Sequence, residues 1–173
     1  WDFFQDPVDT RALTPSGKDA VFRAALQHHP DRLTGRAAEK LAPLLPGQTA
    51  ETLRGENCAA ALLGSQHVHI DAYGHIFPGT CSGIILGRAT ERPGGHVGDV
   101  WHAVATAWSE HPVLAALVVG GSYELLQRAK DFGYCELPAG YANKCHLCAH
   151  VRQFLFERGV WPEFIGPREC YAP

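Results

Sequence analysis

The chain has 173 residues, enough for one sizeable core and a small appendage, and 46% of them are hydrophobic, which excludes an intrinsically disordered chain. Its 15 basic and 18 acidic residues leave a net charge of −3, without the basic face that nucleic-acid binding requires. The longest apolar run, "VLAALVVGG", is about half of the roughly 20 residues a membrane span needs.

In chain order, residues 1–15 read as an irregular lead-in broken by Pro7 and Pro15. "SGKDAVFRAALQHHP" predicts a helix capped by Ser16, with Asp19 in its first turn and Pro30 at its end. "DRLTGRAAEKLAPLLPG" predicts a second, capped by Asp31, with Leu33, Ala37 and Leu41 as its apolar stripe. A short third helix is expected from Thr49 into "CAAALLG". "QHVHIDAYGHIFPGTCSGIILG" alternates, turns at "AYG" and resumes, predicting a β-hairpin with strands near 66–71 and 75–78 and a further short strand at 83–86. "RATERPGGHVG" is a loop whose glycines fit neither phosphate-binding pattern.

"DVWHAVATAWSEHP" predicts a helix with Asp99 as its cap, in which Trp101 and Trp108 read as core. "PVLAALVVGG" and "SYELLQRAKDFG" add two more, the second capped by Ser122 and closed by Gly133. "CHLCAHVRQFLFERG" is the last clear helix, and the tail from Val160 is irregular. Helices around a small hairpin, without alternating βαβ units, give an α+β fold class.

"WDFFQDPVDT" has neither the basic region nor the apolar stretch of a secretory signal, so a reducing, cytoplasmic setting is expected. There the six cysteines point to metal binding or chemistry rather than disulfides. Methionine is absent throughout, which suits a piece of a longer protein.

Cys145 and Cys148 are spaced i, i+3 at a predicted helix N-terminus. Both thiols therefore share a face, where unpaired N–H groups favour anionic sulfur. They supply two ligands, and Cys58 and Cys81, which bracket the hairpin, are the natural source of two more. Cys135 and Cys170 are either partial ligands of a further centre or ordinary thiols.

Alternation places His67, His69 and Asp71 on one strand face. A His-x-His strand can ligate a metallohydrolase ion. A half-exposed polar face is the reading favoured here, because such an enzyme needs more strands than this chain has. His146 and His150, at i, i+4, either join the cysteines in a zinc site, surround a cluster, or are solvated. Arg152 reads as a surface arginine or, alternatively, as a residue that tunes the site.

The string C-(15)-G-(6)-C from Cys58 through Gly74 to Cys81, the text "HIDAYGHIFPGTCSGIILG", the helix "GDVWHAVATAW" and the later CxxC together resemble the SPASM and twitch domains of radical S-adenosylmethionine enzymes. The resemblance spans about residues 56–155. It implies residues 56–173 as an auxiliary cluster domain and residues 1–55 as a helical lead-in from an upstream radical core in the same polypeptide. It further implies an auxiliary [4Fe–4S] cluster on Cys58, Cys81, Cys145 and Cys148. The Gly74–Cys81 step is longer than the family's usual one, and the distal cysteines do not form the full SPASM string. A single cluster, closer to the twitch form, is therefore expected.

In that family the cluster relays electrons or helps to hold a substrate, often a peptide. The CxxxCxxC that binds the S-adenosylmethionine-cleaving cluster is missing, so this chain alone is not expected to catalyse the radical reaction. The alternative is a structural zinc module for protein–protein contact, since zinc accepts the same four thiolates.

Overall fold

The computed structural model describes residues 10–28, 33–65, 67–79, 81–89 and 97–171. Within them the chain is α+β, with seven α-helices and one three-stranded antiparallel sheet. The helices are α1 (Pro15–His28), α2 (Arg36–Leu41), α3 (Ala59–Leu63), α4 (Val97–Ala107), α5 (Pro112–Val119), α6 (Gly121–Lys130) and α7 (Lys144–Glu157). The strands β1 (Val68–Ile70), β2 (His75–Pro78) and β3 (Gly87–Arg88) lie in the order β1-β2-β3.

The helix α5 organises the core. Val113 to Val118 are all buried, so it is apolar on every side and needs cover all round. Helices α3 and α6 pack on it, and α7 packs on α6. Leu114, Leu117, Leu125, Leu126, Leu147, Val151 and Leu155 meet in one cluster that also takes in Ala50 and Leu53. A smaller cluster of Leu33, Ala42 and Ala142 lies under α2.

His111 starts α5. Its Nδ1 accepts from the Leu114 amide (3.2 Å) and its Nε2 donates to the Ile85 carbonyl (3.0 Å). Those two roles require the neutral ring, and burial lowers its pKa in the same sense.

Several expected boundaries shift for local reasons. Thr14, not Ser16, caps α1: its Oγ1 accepts from the Gly17 amide (3.2 Å), which leaves Pro15 as the first helical residue, where its missing N–H costs nothing. The expected caps Asp31 and the helix end at Pro30 lie outside the described residues. The second predicted helix is a short α2 followed by a 3₁₀ turn at Ala42–Leu44. The helix expected from Thr49 splits into a 3₁₀ turn at Ala50–Leu53 and α3.

Asp99 lies inside the first turn of α4 rather than capping it. Ser122 is likewise inside α6 and fully buried, because the helix opens at Gly121. Gly121 has φ +69°, and a Cβ there would stand 2.1 Å from the Glu56 carbonyl oxygen. The α5–α6 corner can thus touch the segment just before Cys58. Most of the "RATERPGGHVG" loop, residues 90–96, lies outside the described residues.

The hairpin forms as expected, with Val68 opposite Pro78 and Ile70 opposite Ile76. Its third strand does not form at 83–86. Ile84 and Ile85 pair instead with the tail, through a bridge to Ile165 and a bond from the Ile85 amide to the Phe164 carbonyl (3.0 Å). The sheet's third strand is therefore β3, with His75 opposite Arg88.

Asp71 closes the hairpin turn. Its Oδ1 accepts from the amides of Tyr73 and His75, both at 2.8 Å, and its Oδ2 meets His75 Nδ1 at 2.8 Å. Burial opposes its charge, but the hydrogen bonds from the His75 side chain and from the two amides prevail, so its pKa lies below the usual carboxylate range. A depressed folded-state pKa gives stability that is present above the unfolded value, near 4, and lost as the pH falls through the folded value. Asp71→Ala is expected to lower stability at neutral pH by about 1–2 kcal/mol. In denaturant titrations its deficit should shrink below about pH 4 as the wild-type carboxylate protonates.

Candidate thiol centre

All six cysteines are thiols, with no disulfide among them. Four come from three separate places: Cys58 immediately before α3, Cys81 in the turn after β2, and Cys145 and Cys148 on the first two turns of α7. Two polar ties bring those places together. Lys144, next to Cys145, donates to the carbonyl of Asn57, next to Cys58 (3.2 Å), and lies 3.9 Å from the Glu56 carboxylate. Arg152, one turn beyond Cys148, is bonded through Nη1 to the carbonyl of Ser82, next to Cys81 (2.6 Å).

Main-chain bonds complete the placement. The Cys58 amide donates to the Leu117 carbonyl at the end of α5 (2.8 Å), and the Cys81 amide to the Pro78 carbonyl (2.9 Å). At the head of α7, Asn143 accepts from the His146 amide through its side chain (2.9 Å). That cap holds the first turn in which Cys145 sits.

The electrostatics record the convergence. Burial pushes the Cys58 thiol up to about 12; the Cys148 sulfur adds to the rise, Lys144 opposes it, and Cys81 and Cys145 add further. Burial also raises Cys148, against the attraction of Arg152 and with a contribution from Cys81. Cys58 thus lies within electrostatic reach of Cys81, Cys145 and Cys148, and Cys148 within reach of Cys81. Cys58 and Cys148 are thereby held as neutral thiols, and a metal would have to displace their protons.

They are not drawn onto a single point. Among the described residues no three His, Cys, Asp or Glu side chains stand close enough to hold one metal ion. A tetrahedral zinc with bonds of about 2.3 Å would hold its sulfurs only about 4 Å apart. A four-iron cluster spaces its thiolates more widely, because irons and sulfides lie between them.

Arg152 is the residue that sequence reading misplaced. Favoured as a surface arginine, it is 3% exposed. Its Nη1 also meets the Tyr171 hydroxyl (3.1 Å), and that hydroxyl donates to the Gly83 carbonyl (2.6 Å). The Cys148 thiol lies within hydrogen-bonding range of the same guanidinium. Burial disfavours its charge, but Tyr171 and the Cys148 and Cys81 sulfurs more than compensate, so the guanidinium is held more firmly protonated than usual. The signal was available: 145, 148 and 152 fall at i, i+3 and i+7, one helix face.

The remaining candidates divide. Cys135 is exposed and its sulfur contacts the Gly133 carbonyl at 3.8 Å. Cys170 is part-buried in the tail; burial raises its thiol, and Arg152 opposes the rise. His146 Nδ1 accepts from the Ala142 amide (3.0 Å), and burial followed by the neighbouring His150 lowers its pKa to about 4. The two rings meet edge to face at 4.6 Å, so this pair is packed rather than solvated. His67 and His69 are exposed, with ring centroids 5.4 Å apart, while Asp71 is turned to His75. That is the polar strand face expected of them. Trp108 packs against the main core, and Trp101 is part-buried.

A cleft of about 260 Å³ flanks the centre, lined by Ser82, Ala149, His150, Arg152, Cys170 and Tyr171 among others. A larger one, about 410 Å³, lies between the sheet and α4, against Ile76, Val100, Val104 and Phe164, and touches none of the cysteines. Among the described residues no helix is long and apolar enough to cross a membrane. Searches of protein-family models, curated proteins and solved structures return no match to this chain.

Gly83 is the tightest point of the Cys81 loop. It has φ +85°, and a Cβ there would stand 2.4 Å from the Tyr171 hydroxyl and 3.0 Å from Arg152 Nη1. Gly83→Ala is expected to cost about 1–3 kcal/mol in chemical denaturation, through strain and loss of the Tyr171 bond. Gly98→Ala, a helical site with nothing within 4 Å of the added carbon, should be neutral or stabilising by up to about 1 kcal/mol.

Proposed function

We propose that Cys58, Cys81, Cys145 and Cys148 bind one [4Fe–4S] cluster, and that this chain is a SPASM/twitch-like auxiliary domain of a radical S-adenosylmethionine enzyme. The observation that supports the reading is the pair of hydrogen bonds that tie the Cys58 and Cys81 segments to the helix carrying Cys145 and Cys148, from Lys144 to Asn57 and from Arg152 to Ser82.

The donor chemistry, four thiols, is of the kind such a group takes. Thiolates are the usual ligands of iron–sulfur clusters, and four of them close its coordination. When bound, such a cluster supplies one-electron transfer. Closed coordination favours electron relay or a structural role over direct substrate ligation; either would serve a radical core upstream in the same polypeptide, acting on a substrate such as a peptide.

The protein's own part is placement. The bond from Lys144 to Asn57 fixes Cys58 against the head of α7, and the bond from Arg152 to Ser82 fixes the Cys81 turn against its third turn. Leu62, Leu117 and Leu147 are buried in the core cluster next to these segments, which limits the access of water from the core side.

Anaerobic purification and reconstitution test the reading. The wild-type chain should be brown and carry about four irons and four sulfides. Serine at any one of positions 58, 81, 145 or 148 should remove most of that iron or make it labile, whereas Cys135→Ser should retain it. A colourless protein that holds one zinc under the same conditions would instead establish the zinc module.

A further inference from the structure

We propose that the cleft of about 260 Å³ between α2 and α7 binds a small organic acid carrying one carboxylate, and that the Arg152 guanidinium receives it. The site goes beyond the cluster reading and uses none of its four thiols.

The geometry of the cleft wall carries the inference. Arg152 lines the cleft, although its side chain is only 3% exposed. Ser82 and Tyr171 line it too, and their carbonyl and hydroxyl are the two partners of Nη1, at 2.6 and 3.1 Å. The guanidinium is therefore fixed at the wall by two bonds to neutral groups. Burial keeps the Tyr171 phenol protonated, with its pKa raised to about 12, and it raises the Cys148 thiol as well. No carboxylate of the described residues is ion-paired with Arg152. Glu39, the carboxylate among the described residues of the lining, sits 3.4 Å from Lys40 instead.

A buried cation without a counter-charge is strongly unfavourable. The guanidinium has five N–H donors in a planar fork, more than Ser82, Tyr171 and the nearby Cys148 thiol can use. A carboxylate matches that fork and brings the missing charge.

The remaining lining selects the class of acid. Gly35, Ala38 and Ala149 leave room for an apolar body beside the carboxylate. The volume lies just under the roughly 300–1,000 Å³ of sites for drug-sized ligands, so the occupant is small. Glu39, on the α2 side, repels a second negative charge and so disfavours phosphates and dicarboxylates.

The test uses phenylacetate and phenylacetamide, which share a shape and differ in charge, titrated by calorimetry into the anaerobically purified full chain at neutral pH. Phenylacetate should bind one per chain, at least about tenfold more tightly than the amide, as expected of a charge-assisted pair. Arg152→Gln should weaken phenylacetate by at least that factor and leave the amide unchanged. Glu39→Gln, at an exposed position, should tighten phenylacetate about two- to fivefold and leave the amide unchanged.

No saturable binding of phenylacetate to the wild-type chain would overturn the assignment. Equal affinities for acid and amide would do the same, since they describe an apolar cleft alone. Inorganic phosphate binding as tightly as phenylacetate would overturn the carboxylate class. If Arg152→Gln does not fold, Glu39→Gln decides: tighter binding supports the site, and unchanged or weaker binding overturns it. Iron and sulfide measured on the same samples test the cluster reading separately, so the two failures are distinguishable.

Discussion

The guanidinium of Arg152 is the interaction around which the rest of the molecule is arranged. It enters the interior from the third turn of α7 and holds the Ser82 carbonyl and the Tyr171 hydroxyl with one nitrogen. Through Ser82 it fixes the turn that carries Cys81. Through Tyr171 it fixes the tail, whose residues 164–166 pair with Gly83, Ile84 and Ile85. Hairpin, last helix and tail thus meet at one buried cation, and burying a cation is tolerable only where negative charge can be gathered beside it.

The surrounding scaffold is built to hold α7 in place. α5 is apolar on all sides and sits in the middle, α6 covers it, and α7 covers α6. Because α7 is anchored by Leu147, Val151 and Leu155 on its core side, Cys145, Cys148 and Arg152 are left on the side that faces the two incoming loops. The Cys58 segment arrives along a main-chain bond to the end of α5, and only a glycine at 121 allows the α5–α6 corner to come that close. The thiol centre is thus a by-product of helix packing, with polar ties doing the final alignment.

The histidines illustrate how the same residue type can be absorbed by structure. His111 caps α5 and reaches the Ile85 carbonyl, His75 pairs with Asp71 at the hairpin turn, and His146 accepts from the Ala142 amide. His111 and His146 each commit a ring nitrogen to the backbone, and His75 commits one to the Asp71 carboxylate.

The sequence by itself determined the α+β class, the hairpin and its register-setting turn, the positions of the longer helices, and the pairing of Cys145 with Cys148, because periodicity, turn glycines and i, i+3 spacing are local properties of the chain. It also marked Cys58 and Cys81 as flanks of one hairpin. Only the tertiary structure decided that the strand expected at 83–86 would pair with the tail instead, that Thr14 rather than Ser16 would cap α1, and that Ser122 would be buried inside α6. It alone moved Arg152 from the expected surface to the interior beside two cysteines. Burial and long-range hydrogen bonds join residues far apart in the chain, 88 positions in the case of Tyr171 and Gly83, and no local pattern encodes such a meeting.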